Sequence, residues 1–237
     1  MSRVPPLIST IDLWRTHRLG AVEINALRGV NLTVYPGRFL AVVGRSGSGK
    51  TTLLNLMAGL DQPTSGKVLF QDRDLSMMSE AELTEIRRHK VGFVFQSFGL
   101  LPLLSAFENV ELPLRISRVA PGEREERTRE ALEMVGLWQR ARHRPYELSG
   151  GEQQRLAIAR AIVTRPLVIL ADEPTGELDS NNARSIFGLF KEMVVNHGIS
   201  VAAATHDSTL LAMADEVKEI RDGALVEQVE LGQRYRD

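Results

Sequence analysis

A chain of 237 residues can bury a substantial core in one large or two modest domains. Its 29 basic and 30 acidic residues leave a net charge of −1, which gives no bulk attraction to nucleic acid or anionic lipid. The absence of cysteine excludes disulfides, thiolate metal sites and cysteine nucleophiles, and fits a reducing compartment. Because no signal-peptide-like segment and no run of about 18 apolar residues occurs, we expect a cytoplasmic-type soluble protein.

Short β-rich runs dominate the start of the chain. They cover residues 7–13, 29–34 and 39–43, with another at residues 67–70. Tyr35-Pro36-Gly37 is a turn signal between two of these runs. The pattern predicts strands at the N-terminus.

Four uninterrupted apolar runs are typical of strands in a parallel sheet that is covered on both faces. They lie at residues 39–43, 91–95, 167–171 and 200–204. Polar residues follow each run: Gly44, Gln96, Asp172-Glu173 and Thr205-His206. Because ligands of open α/β sheets bind beyond the carboxyl ends of the strands, we expect these groups to share one site.

The stretch between the second and third runs, residues 97–165, is predicted to be largely helical. Residues 123–134 are charged with apolar punctuation, and residues 153–162 are strongly amphipathic. The simplest interpretation is a helical insert within an α/β core.

Residues 44–52, GRSGSGKTT, match the pattern G-x-x-x-x-G-K-[ST] between a predicted strand and a predicted helix. We call this segment the phosphate loop. Its glycines let successive backbone N–H groups surround a polyphosphate, Lys50 reaches the β- and γ-phosphates, and the Thr51 hydroxyl is placed for Mg²⁺. The predicted nucleotide-binding residues here are Gly44, Arg45, Ser46, Gly47, Ser48, Gly49, Lys50, Thr51 and Thr52.

Two adjacent acids follow the third apolar run. Asp172 is predicted to hold Mg²⁺, and Glu173 to orient or deprotonate the water that attacks the γ-phosphate. The alternative for Glu173 is a structural carboxylate paired with a nearby base. By their position after predicted strands, Gln96 is a candidate to sense Mg²⁺ or the attacking water, and His206 to hydrogen-bond the γ-phosphate. The alternatives are an ordinary loop residue for Gln96 and a core or surface histidine for His206.

The segment LSGGEQ, residues 148–153, opens the amphipathic helix with two poor helix formers. Ser149 and Glu152 have the spacing of a capping box. The second interpretation is that Gly150 and Gly151 leave room for an anion to approach the helix start closely. The two interpretations are compatible.

These motifs occur in the order typical of the ATP-binding cassette family, which the chain resembles over most of its length. The motifs are the phosphate loop, Gln96, LSGGEQ, Asp172-Glu173, Glu177-Leu178-Asp179 and His206. Within that family, segments such as ENVELPL and LADEPTGELDS are most similar to the lipoprotein-releasing and macrolide-efflux branch (LolD and MacB types), with FtsE-type ATPases as close relatives.

The resemblance implies an α/β fold with a P-loop NTPase core. That core has a mostly parallel sheet, an N-terminal antiparallel β subdomain, and a helical subdomain inserted before the signature motif. We expect one nucleotide-binding domain over residues 1–237. The core and β subdomain take about 1–95 and 166–230, the helical subdomain about 97–165, and a C-terminal tail about 231–237.

The resemblance also implies ATP and Mg²⁺ as ligands and a head-to-tail homodimer with two shared sites. Ser149, Gly150 and Gly151 then contact the γ-phosphate held by the phosphate loop of the second copy. Asp179 belongs to the loop that crosses the dimer interface.

Two positions depart from the family pattern. His17 stands where the branch commonly has a tyrosine that stacks on adenine, and Trp14 is an alternative stacking residue. Glu177 stands where relatives often carry asparagine, which places a negative charge near the interface.

The resemblance favours an ATPase subunit that powers a separate membrane permease, in efflux or extraction of a substrate from the membrane. It is expected to act at the cytoplasmic face of the inner membrane, with its permease docked near Gln96 and residues 98–102; the alternative for residues 98–102 is ordinary core of the helical subdomain. The alternatives are an FtsE-like ATPase that transmits force without transport, and a soluble cassette acting on DNA or ribosomes. No fused second cassette or coiled-coil insertion supports the last, and no nucleic-acid partner is expected.

Overall fold

The computed structural model describes residues 4–20 and 22–226, so the predicted C-terminal tail at 231–237 lies outside the described residues. The strands of this part are β1 (Ile8–Leu19), β2 (Val22–Val30), β3 (Thr33–Val34), β4 (Phe39–Val43), β5 (Ser65–Phe70), β6 (Arg73–Asp74), β7 (Val91–Val94), β8 (Val168–Asp172), β9 (Ser200–Thr205), β10 (Glu216–Arg221) and β11 (Ala224–Leu225). Its α-helices are α1 (Lys50–Met57), α2 (Glu80–His89), α3 (Ala106–Ile116), α4 (Pro121–Met134), α5 (Gly150–Ile162) and α6 (Ser180–His197).

The main sheet is mostly parallel, as predicted. Its strand order is β11-β10-β4-β9-β8-β7, and every neighbouring pair is parallel except β10 with β11. The four predicted apolar runs are its strands β4, β9, β8 and the edge strand β7, with ends shifted by at most one residue. Their carboxyl ends therefore lie along one edge of the sheet.

Alternating side chains of these strands enter two separate cores, because successive residues of a strand point to opposite faces. Phe39, Ile169 and Val201 pack with α5 and α6 on one face. Leu40 and Leu170 pack with α1 and the N-terminal strands on the other face. Burial on both faces is the reason that the runs are continuously apolar rather than alternating.

The N-terminal sheet is antiparallel, as predicted, with the order β2-β1-β5-β6 and β3 paired to β1. The prediction of one strand over residues 29–34 is wrong, because β2 ends at Val30 and β3 begins at Thr33. The buried Thr10 hydroxyl holds this break: it donates to the Val30 carbonyl at 2.9 Å and accepts from the Leu32 N–H at 2.8 Å.

Three helices, α3, α4 and α5, separate β7 from β8 in the chain and share one hydrophobic core. Serine caps fix the starts of two of them. Ser105 forms a capping box with Glu108 at α3, and Ser149 forms one with Glu152 at α5. The cap at Ser149 lets α5 begin at Gly150, three residues before the amphipathic stretch that predicted it.

Candidate functional site

The phosphate loop leaves β4 at the carboxyl edge of the sheet and passes directly into α1. Gly49 has a φ of 107°, and a Cβ there would lie 2.4 Å from the Ala26 carbonyl oxygen, so only glycine fits. The Ser48 hydroxyl is buried and has no hydrogen-bond partner within the described residues. Backbone amides next to an unpaired buried hydroxyl suit an anionic ligand.

Lys50 begins α1 with its ammonium at the mouth of the loop. The side chain is only 4% exposed, so its charge needs polar partners. The ammonium donates to the Gly44 carbonyl at 2.8 Å and to the Arg45 carbonyl at 3.0 Å, and pairs with Glu173 Oε1 at 3.1 Å. A phosphate oxygen is the kind of ligand that this fixed cation would bind.

Thr51 and Asp172 meet although they are far apart in the sequence. The Thr51 hydroxyl donates to Asp172 Oδ1 at 3.1 Å. Burial raises the pKa of the Asp172 carboxyl above its ordinary value, and the hydrogen bond from Thr51 acts in the opposite direction. A cation at this position would favour the ionised carboxylate, and hydroxyl and carboxylate oxygens are suitable ligands for Mg²⁺.

Glu173 links the phosphate loop to His206. Its Oε1 pairs with Lys50, and its Oε2 lies 3.0 Å from Nδ1 of His206. The Glu173 side chain is 16% exposed and that of His206 is 60% exposed, so water reaches this pair. Glu173 is thus a carboxylate paired with basic groups, and it also lies in the candidate site.

The backbone at Glu173 is in the left-handed region, with φ of 44°. Its N–H donates to the Ala204 carbonyl at 3.0 Å, which ties the turn after β8 to β9. A non-glycine residue in this region costs of order 1–3 kcal/mol, and such strain is concentrated at functional sites. This backbone conformation places the Glu173 carboxylate beside Lys50.

Gln96 follows β7 and reaches the same edge. Its side chain is exposed and borders a cleft of about 410 Å³ together with Lys50, Thr51 and Glu173. An amide facing a hydroxyl and two charged groups can ligate a cation or hold a water. The cleft therefore gathers the predicted groups from β4, β7 and β8.

His17 lies one strand away from this cleft. It pairs with Ile24 across β1 and β2, so the two side chains share a face of the sheet, and Ile24 itself borders the cleft. Trp14 has a structural partner instead, because its indole N–H donates to Asp12 Oδ1 at 3.1 Å. Of the two aromatic candidates for stacking on a base, His17 is the better placed.

The start of α5 forms the predicted capping box. The Glu152 N–H donates to Ser149 Oγ at 3.3 Å, and Glu152 Oε2 accepts from the Ser149 N–H at 2.8 Å. Ser149 is exposed, and neither it nor Gly150 or Gly151 borders the cleft beside Lys50. Within one chain, the starts of α1 and α5 therefore do not face the same cleft.

Gly151 has a packing reason to lack a side chain. A Cβ at this position would lie 2.5 Å from Oδ1 of Asn182 on α6, whereas a Cβ at Gly150 would meet only Leu178 Cδ2 at 3.6 Å. Packing against Asn182 is therefore a second reason for glycine at position 151, beside the predicted approach of an anion. Asn182 of the same chain already occupies that space.

We expect Gly151→Ala to destabilise the protein and Gly150→Ala to leave it unchanged or more stable. Asn182 cannot move aside freely, because its Nδ2 donates to Asp179 Oδ2 at 2.6 Å. Overpacking there is expected to lower the free energy of unfolding by about 1–3 kcal/mol. Alanine at position 150 gains up to about 1 kcal/mol of helix propensity. Thermal unfolding of both variants measures the difference, and equal melting temperatures would contradict the packing explanation.

Asp179 is exposed and caps α6. Its Oδ1 accepts from the N–H groups of Asn181 and Asn182, each at 3.0 Å. Hydrogen bonding from the Asn182 backbone, with help from its side chain, lowers the pKa of Asp179 below its ordinary value. The predicted interface residue thus has a structural role within its own helix.

Comparison with known proteins decides the family. A profile described as "ABC transporter" matches residues 27–176. The chain belongs to the ABC transporter family. A Thermotoga maritima relative described as an uncharacterized ABC transporter ATP-binding protein is 46% identical over 222 residues, covering 92% of this chain and 93% of the relative.

Solved cassettes show the same fold. Two dimeric structures of the bacterial ABC transporter cassette MJ0796 each have a TM-score of 0.87 and cover 94% of this chain and 98% of theirs. They are 42% identical to this chain in one structure and 41% in the other, which is a post-hydrolysis state bound to ADP and Pi. CbiO1 from Clostridium perfringens, part of the ABC transporter complex CbiONQ, is 28% identical, has a TM-score of 0.84 and covers 93% of this chain and 87% of its own. The predicted P-loop NTPase fold is thus confirmed.

Among residues 4–20 and 22–226 of this cassette, none of the helices combines the length and hydrophobicity that a membrane span requires.

Motif reasoning missed part of the cleft wall, namely Ile24, Asn25 and Ala26 of β2 and the turn Asp222-Gly223. Only the turn dipeptide carried a signal in the sequence. The β2 residues reach the cleft because β2 pairs with β1, and the local sequence of β2 does not predict that pairing.

Proposed function

We propose that this cassette is an ATP-hydrolysing subunit that powers a separate membrane permease. One observation carries the proposal: Lys50, Thr51, Asp172, Glu173 and His206 converge through direct contacts of 3.0–3.1 Å beside the phosphate loop. A fixed cation, paired oxygen ligands and a water-accessible carboxylate are the groups that phosphoryl transfer to water requires.

In this proposal the phosphate-loop amides and Lys50 hold the β- and γ-phosphates of ATP. The imidazole of His17 stacks on the adenine, supported by its place on the same sheet face as Ile24. Thr51 and Asp172 would hold Mg²⁺, with Gln96 beside them. When bound, Mg²⁺ supplies positive charge that neutralises the phosphate oxygens.

Glu173 is the proposed general base. Once Lys50 turns to a phosphate, Glu173 Oε1 loses its partner and can accept a proton from an attacking water. His206 keeps its place through Glu173 Oε2 and extends toward the γ-phosphate. The partners of the carboxylate thus change with nucleotide binding, which couples base activity to ATP.

The proposed active form is a homodimer with two shared sites. Ser149, Gly150 and Gly151 of one copy would close over the phosphate loop of the other, with Asp179 beside them. Support comes from the exposed Ser149 outside its own cleft and from the dimeric relative MJ0796. ATP then joins the copies, and hydrolysis releases them.

We propose one nucleotide-binding domain with its core at about 1–95 and 166–230 and a helical subdomain at about 97–165. A groove of about 450 Å³ borders α3 and α5 next to the turn after Gln96. Its apolar lining includes Phe93, Phe95, Leu112, Pro113 and Ile116. Phe95 is 41% and Ile116 56% exposed, so the groove offers apolar surface to a partner.

This groove is the proposed docking site of the permease, which holds the cassette at the cytoplasmic face of the membrane. The groove includes Gly99 from the predicted segment 98–102 and adds α3 to it. CbiO1 is described as part of a transporter complex, which supports a membrane partner. By the resemblance of ENVELPL and LADEPTGELDS to the lipoprotein-releasing and macrolide-efflux branch, the work is efflux or extraction from the membrane.

Photocrosslinking in cells tests the docking. With p-benzoylphenylalanine in place of Ile116, we expect an adduct with an integral membrane protein. The matched control replaces Val195 on α6, which is 68% exposed and outside the groove. Equal adducts at both positions, or none at Ile116, would contradict a permease in this groove.

A further inference from the structure

Arg45 is an exposed charge on the phosphate loop. Among residues 44–52 the charged side chains are Arg45 and Lys50, and Lys50 is buried against Glu173. Arg45 is exposed, and within the described residues its guanidinium has no ion-pair partner. It borders a second cavity of about 620 Å³, on the side of the loop where His206 lies. The loop therefore presents one free cation to whatever covers that side.

Glu177 is an exposed charge beside the signature segment, residues 148–153. Its acidic neighbours are occupied, since Glu152 belongs to the capping box of α5 and Asp179 caps α6. Glu177 is exposed and forms no ion pair within the part of the chain that the structure describes.

The loop after β8 runs from the phosphate loop to the signature segment, the two parts of the chain that form the proposed shared sites. It starts at Glu173, against the phosphate loop, and reaches Leu178, whose Cδ2 lies 3.6 Å from the Cβ position of Gly150. Glu177 is therefore at the signature end. A two-fold dimer that places each signature segment over the other copy's phosphate loop brings this end toward the other copy's Arg45.

We propose that Arg45 of each copy forms an ion pair with Glu177 of the other. The inference rests on the shared-site dimer proposed above, and the ion pair would favour that arrangement of the two copies. Neither charge has an ion-pair partner in its own chain among residues 4–20 and 22–226, and the two-fold axis makes the contact twice. Such pairs at an interface rim act mainly on the specificity and rate of association.

Charge reversal in trans tests the pair, with every chain carrying Glu173→Gln and with Mg-ATP present. Alone, Arg45→Glu sets two carboxylates against each other at both contacts, and Glu177→Arg sets two guanidinium groups against each other at both contacts. We expect dimerisation of each to weaken at least about 10-fold, since like charges across an interface are strongly unfavourable. Mixed together, the two single variants should dimerise, because the changed residue of one chain meets the changed residue of the other at one contact and the unaltered Glu177 meets the unaltered Arg45 at the second. A third chain that carries both changes tests the same rescue in a homodimer.

The chain with both Arg45→Glu and Glu177→Arg restores opposite charges at each contact, because the changed residue of one copy meets the changed residue of the other. We expect its dimerisation to recover to within about 3-fold of the unaltered affinity. Sedimentation velocity measures the two single variants, the double variant and the chain with neither change.

Lys67→Glu and Glu126→Arg are the controls, because they make the same kinds of charge reversal at exposed positions without an ion pair. Each control variant should dimerise with the same affinity as the chain that carries Glu173→Gln alone. ATP binding by each monomer, followed with a fluorescent ATP analogue, shows that the variants fold. A double variant no better than the single ones, or a Glu177→Arg chain that binds ATP and dimerises normally, would overturn the pair. If the unaltered chain stays monomeric with ATP, the shared-site proposal fails as well.

Discussion

Replacing Glu173 by glutamine is expected to lower the ATP turnover by about 10²–10⁴-fold and to leave ATP binding intact. The glutamine amide cannot accept a proton from the attacking water, yet its oxygen can still accept a hydrogen bond from Lys50. The backbone N–H bond to the Ala204 carbonyl is unaffected, so the turn after β8 should persist. Phosphate release measures turnover, and sedimentation with Mg-ATP should show an accumulated dimer, because hydrolysis no longer separates the copies.

The matched control is Glu126→Gln, an exposed glutamate on α4 far from the phosphate loop in sequence. It should hydrolyse ATP at the unaltered rate and show no trapped dimer. A Glu173→Gln chain that turns over at the unaltered rate would remove Glu173 as the base.

A mixture of Lys50→Ala and Ser149→Arg chains is expected to hydrolyse ATP although neither variant does so alone. Lys50→Ala removes the ammonium that anchors the phosphates, and Ser149→Arg places a long cation where the other copy's nucleotide must fit. The mixed dimer keeps one complete site, built from Lys50 of the second chain and Ser149 of the first. Half of randomly formed dimers are mixed, so the mixture should reach about one quarter of the unaltered rate.

Ser79→Arg separates the shared site from simple loss of a helix cap. Ser79 forms with Glu82 the same capping box at α2 that Ser149 forms with Glu152 at α5. Its replacement should cost about 0.5–2 kcal/mol of stability and leave hydrolysis intact. If the Lys50→Ala and Ser149→Arg mixture stays inactive while each chain remains folded, a site within a single copy becomes the better description.

The central strands could be predicted because both of their faces are buried. Residues such as Phe39 and Leu40 point to opposite cores, so the whole run must be apolar. β10 has no such signal: of its residues Glu216–Arg221 only Ile220 is buried. It exists as a strand because it pairs in parallel with β4, and that tertiary pairing leaves no mark in the local sequence.

The candidate site shows the same division. The phosphate loop, Asp172 and Glu173 could be proposed from spacing, since their chemistry requires those residue types in that order. The left-handed backbone of Glu173 could not, because it depends on the bond to Ala204 on a neighbouring strand. Nor could the partner of Gly151, since Asn182 comes close only when α5 packs against α6.

That packing has a mechanical consequence. At Gly151 the start of α5 faces Oδ1 of Asn182, whose amide nitrogen is bonded to Asp179 at the start of its own helix. No hydrogen bond joins α5 to α6 anywhere in residues 4–20 and 22–226. The contact behaves as a one-way stop: the two helix starts cannot be pressed closer, and they can be drawn apart without breaking a polar bond. A pull on the signature helix would thus be resisted in one direction by the loss of apolar contacts in the shared core and in the other by steric overlap at Gly151.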